Sequence, residues 1–86
     1  MPIEIGQVVR SLAGHDAGGF FVVVSTGDGW VELADGRRRK LEAPKRKSQK
    51  HIRKTNTVLE PSGADTNRKL REALRAFRPE GGKAVV

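Results

Sequence analysis

Ten lysines and arginines stand between positions 37 and 54, with Glu42 the lone acid among them. They are Arg37, Arg38, Arg39, Lys40, Lys45, Arg46, Lys47, Lys50, Arg53 and Lys54, and His51 lies within the same stretch. Cations at this density do one kind of chemistry well, which is to neutralise a run of phosphates. The stretch carries +9, whereas residues 1–36 carry −4 and residues 55–86 carry +2. A solvated charged face that binds nothing would have to hold ten like charges together in free solution, so a polyanion is the stronger explanation. Contacts to about five or six phosphates would give a log–log salt slope near −4 on single-stranded RNA.

No other chemistry is as well supplied. The chain has no cysteine, which removes disulfides, thiolate metal sites and a thiol nucleophile. His15 and His51 lack a second histidine or a carboxylate at metal-ligand spacing. The fragment Gly14-x-x-x-Gly18-Gly19 lacks the Lys-Ser/Thr that completes a phosphate-binding loop. The acids are scattered singly. Catalysis, a metal and a cofactor are therefore not expected, and a chain of 86 residues leaves little room for a small-molecule cavity. Trp30 could stack on an unpaired base, but with no tyrosine and three phenylalanines in the chain the favoured reading is a cover over the core.

The elements that must position these groups fall into two halves. Gly6 to Ala13, Phe20 to Ser25 and Val31 to Leu33 read as short strands, and Arg39 with Leu41 suggests a fourth. Gly27-Asp28-Gly29 and Asp35-Gly36 are hairpin signals, and Gly14 through Gly19 is a longer loop. Phe20 and Phe21 must point to opposite faces of one strand, one into the core and one under another element. After Ala43-Pro44, Lys45 to Lys50 is polar with no apolar period; a last short strand passes through Ile52. Asp65 or Thr66 offers a helix N-cap, and Leu70, Ala73, Leu74 and Phe77 fall on one face, with Arg68, Arg71, Arg75 and Arg78 elsewhere. A helix of about twelve residues is marginal alone, so its apolar stripe should dock on the strands. Within the first loop, Gly14 permits a positive-φ turn, Asp16 can hydrogen-bond its own backbone, and Gly18 and Gly19 leave room for a sugar-phosphate backbone.

Gly6 to Gly14, Asp16, Gly18 and Phe20 to Val23 resemble the KOW motif of ribosomal and transcription-elongation proteins. With Asp35-Gly36, the run Arg37 to Leu41, Pro44-Lys45 and Lys50-His51, residues 4–57 look like a family of short bacterial KOW-domain RNA-binding proteins, similar to a large-subunit ribosomal protein of eukaryotes and archaea. The resemblance implies an SH3-like β-barrel that binds ribosomal RNA, with Gly14, Asp16 and Gly18 shaping its loop. His15 and Ala17 stand where such loops are often basic, which shifts the expected contacts onto residues 37–54.

The expected organisation is a mainly β barrel of about five strands over residues 1–57, a linker at 58–64, a helix at 65–78 and a tail at 79–86. The expected partner is RNA, above all ribosomal RNA or the large subunit, bound by a monomer in the cytoplasm. The longest apolar run, Phe20 to Val24, is too short for a bilayer, and a basic block without an apolar face makes a membrane surface a weak option. Rivals are a DNA-binding or nucleoid-associated protein with the same electrostatics, and a transcription-associated protein-interaction module.

Overall fold

A computed structural model describes residues 3–77. Among the described residues, five antiparallel strands form one sheet in the order β4-β3-β2-β1-β5, followed by one α-helix. The strands are β1 (Gln7–Ser11), β2 (Phe20–Gly27), β3 (Trp30–Ala34), β4 (Lys45–Ser48) and β5 (Ile52–Val58), and the helix is α1 (Asn67–Leu74). The mainly β fold with a C-terminal helix is as the sequence implied.

The two edge strands of this sheet are consecutive in the chain. Laid flat, β4 and β5 would stand about 19 Å apart across four strand spacings. Only the 3-10 turn Gln49–His51 joins them, and at about 2 Å per residue it covers less than half that distance. The sheet is therefore strongly curled. Bulges at Val23/Ser25 and at Gln7/Val9 supply local bends. Among the described residues no ladder joins β4 to β5.

Curling gives the sheet an inner and an outer face, and both are used. Val9, Phe21, Val23, Val31, Leu33 and Ile52 fill the inside. Val8, Val22 and Ala34 point outward, where Leu70 and Leu74 of α1 cover them, with Phe20, Leu41, Leu59 and Phe77 around the edge. Phe20 and Phe21 thus take opposite faces, and Phe20 meets Phe77 at 5.5 Å between ring centroids. Two-sided burial explains why β2 begins as an unbroken apolar run rather than alternating. The helix docks as its stripe implied, with Thr66 as N-cap: its hydroxyl accepts from the Lys69 backbone N–H. Asp65 pairs instead with the Lys69 ammonium at 3.0 Å. The segment 58–64, expected as a linker, is packed: Leu59 and Ala64 lie against the helix-face cluster, and Leu59 N–H donates to the Gly6 carbonyl at 2.8 Å. Arg78 and the expected tail 79–86 lie outside the described residues.

The expected fourth strand is displaced. Arg39 and Leu41 are not on a strand, and Asp35-Gly36 does not make a two-residue hairpin. The Asp35 carboxylate accepts from the backbone N–H groups of Arg37 and Arg39, both at 2.9 Å, which rolls the chain into a turn. Asn67 then accepts from Leu41 N–H through its side-chain oxygen at 2.8 Å, so those donors are spent before a ladder can start. Gly36 packs so closely on α1 that a β-carbon there would sit 2.2 Å from the Asn67 carbonyl oxygen, and its φ is +79°. The strand forms later, at Lys45–Ser48, against Leu33 to Trp30. That segment has no apolar pattern of its own; the open edge of β3 supplies the ladder.

Candidate nucleic-acid interface

The curl sorts the ten cations by the direction of their side chains. Arg39 turns inward. Its guanidinium forks onto Asp16, Nε to Oδ1 at 3.3 Å and an Nη to Oδ2 at 3.0 Å, and the Asp16 side chain is only 3% exposed. The expected role of Asp16 is corrected here: its carboxylate serves Arg39, and its backbone carbonyl closes the loop by accepting from Gly19 N–H at 3.0 Å. Lys47, on the inner side of β4, reaches across to donate to the Ala13 carbonyl at 2.6 Å. Two members of the basic block therefore clasp the Gly14–Asp16 turn. Gly14 and Gly18 adopt positive φ, as the loop required.

The remaining cations behave differently. Arg38, Lys40, Lys45, Lys50, Arg53 and Lys54 are exposed, as are Arg37 and His51. Among the described residues Arg38, Lys45, Lys50 and Arg53 enter no ion pair. Lys40 lies near Glu42, whose carboxyl is held below its ordinary value by a hydrogen bond from Asn67, with its own backbone N–H and Lys40 adding to the effect. Arg37 and Lys54 each have an interaction partner.

A further cation joins this set from the acidic half of the chain. Arg10 on β1 is exposed and stands directly opposite Arg53 on β5. Like charges facing each other across a ladder are destabilising by a few tenths of a kcal/mol. Sequence reasoning passed over Arg10 because it is a lone base among acids; only strand register brings it to Arg53. Lys50 and His51 occupy the turn that feeds β5, and Leu12 N–H donates to the His51 carbonyl at 2.8 Å, tying that turn to the end of β1. Arg71 of α1 anchors the other basic segment by donating to the Gly36 carbonyl at 2.9 Å.

Trp30 is not the core cover expected of it. It belongs to neither buried cluster. Its ring rests against the Gly27 backbone, and the Arg46 guanidinium lies over it, 4.1 Å from the ring centroid. Arg46 also approaches Glu32, at 3.9 Å.

Among the described residues no helix is long and apolar enough to cross a membrane, and no three histidines or carboxylates gather as a metal site would need. Compared with known proteins, the chain matches no family model and no curated protein.

Proposed function

We propose that the protein is a non-catalytic RNA-binding module of the KOW kind, which captures structured RNA, foremost ribosomal RNA, through phosphate contacts. The observation that carries this reading is the facing pair Arg10 and Arg53, with Lys50 and His51 in the turn beside them and no carboxylate paired to Arg10, Lys50 or Arg53 among the described residues. A fold that keeps two guanidinium groups opposed across a ladder, at a cost to itself, gains when a polyanion lies over both. Phosphate contacts fall to Arg10, Arg38, Lys45, Lys50 and Arg53, with Lys40 and His51 at their margin. Arg39 and Lys47 instead hold the Gly14–Asp16 turn in place.

A rigid curled sheet suits recognition by shape and backbone better than the reading of a base sequence. The test is a salt-matched competition between a ribosomal RNA fragment and duplex DNA of equal length. Preferential RNA binding, with a log–log salt slope near −4, is the expected result. Equal affinities would favour the DNA-binding alternative, and binding that survives high salt would remove the electrostatic mechanism.

A further inference from the structure

Trp30 and Arg46 form an arrangement that phosphate capture does not require. The indole lies directly on Gly27: a β-carbon at that position would come within 2.3–2.5 Å of three ring atoms. Gln49 fixes the hairpin beneath it, its side-chain amide donating to the carbonyls of Gly27 at 3.2 Å and Trp30 at 3.3 Å, while its backbone N–H donates to the Gly29 carbonyl at 3.0 Å. Above the ring lies the Arg46 guanidinium, 4.1 Å from the ring centroid, with the Glu32 carboxylate 3.9 Å from one of its nitrogens. The Arg46 side chain is nonetheless 64% exposed. A guanidinium packed on an aromatic ring keeps its second face and part of its N–H edge for a ligand.

We propose that this pile is a stacking platform for one unpaired nucleobase, seated on the outer face of the Arg46 guanidinium; the inference rests on the RNA-binding reading above and adds base contact to it. Arginine planes, like aromatic rings, accept splayed-out bases, and the N–H edge remains for a neighbouring phosphate. Because the indole already lies beneath the Arg46 guanidinium, less side-chain freedom is lost when the base arrives.

Trp30 is the only tryptophan in the chain, so intrinsic fluorescence reports on this site alone. The full chain is titrated at low salt with a short single-stranded RNA, and with an oligomer of the same length and phosphate count whose sugars are all abasic. The base-bearing RNA should quench Trp30, and the abasic strand should bind about tenfold more weakly without quenching. Arg46→Lys, which keeps the charge and loses the plane, should bring the base-bearing RNA down to the affinity of the abasic one, with the circular dichroism spectrum unchanged. Equal affinity for the two oligomers, or an Arg46→Lys variant that binds like the wild type, overturns the stacking platform. If a ribosomal RNA fragment still binds in that case, only the platform falls; if neither oligomers nor fragment bind, the RNA-binding reading falls with it.

Discussion

Arg38 and Arg39 are neighbours in the chain and opposites in the fold. Arg39 is locked onto a buried carboxylate contributed by the first loop, whereas Arg38 stands in solvent with no ion pair among the described residues. The same division recurs between Lys47, which bridges to the Ala13 carbonyl, and its neighbour Arg46, which points to the other face of the strand and is 64% exposed. A cluster of charge in sequence is therefore not a surface patch. Some of its members hold the scaffold, and their neighbours are left to meet a ligand. The two kinds answer to different measurements, since removal of an inward cation lowers stability and removal of an outward one lowers binding.

The sharpest way to break this contrast is Arg39→Ala. It leaves Asp16 buried without its partner and should cost about 3 kcal/mol, or a fall in Tm of roughly 12–24 °C for a domain of this size, read by urea and thermal unfolding. A variant as stable as the wild type would mean that Arg39 is not structural. Gly36→Ala should cost about 2 kcal/mol, because a β-carbon meets the Asn67 carbonyl and the residue is held at positive φ; RNA affinity of the folded fraction should move less than stability does. The triple change of Arg38, Lys50 and Arg53 to Gln should reverse the pattern. Its stability should stay within about 0.5 kcal/mol of the wild type, with a slight gain from relieving Arg10, while the salt slope of RNA binding becomes shallower by about 2. A slope that does not change would clear those three residues of phosphate contact.

The smallest effect concerns Glu42, which lies near the exposed Lys40. Its carboxyl titrates below its ordinary value in the folded protein, chiefly through the Asn67 hydrogen bond. The stability this contributes is present above the unfolded value and is lost as pH falls through the folded one. The advantage of the wild type over Glu42→Gln should thus be seen at neutral pH, shrink below about pH 4.5 and vanish in stronger acid. A difference that stays flat with pH would show that Glu42 acts only by packing.

Much of the fold was legible because it depends on local patterns. The apolar run of β2, the turn glycines and the stripe Leu70, Leu74 and Phe77 each state their structure within a few residues. The candidate site was legible only as a composition. Nothing near Arg39 in sequence announces that its partner lies at Asp16, and Lys45–Ser48 has no apolar period to mark it as a strand. Trp30 misled for the same reason: that its ring rests on Gly27 and under Arg46 depends on pairing between β2, β3 and β4.

By itself, then, the amino-acid sequence determined the charge, the strand-and-turn character of the first half and the amphipathic helix, because these follow from residue types at short range. Tertiary structure alone decided which cations face inward, which two arginines stand opposed, and what covers the single indole. Those choices depend on strand register and on the curl that draws β4 and β5 together, and both arise from contacts between residues tens of positions apart.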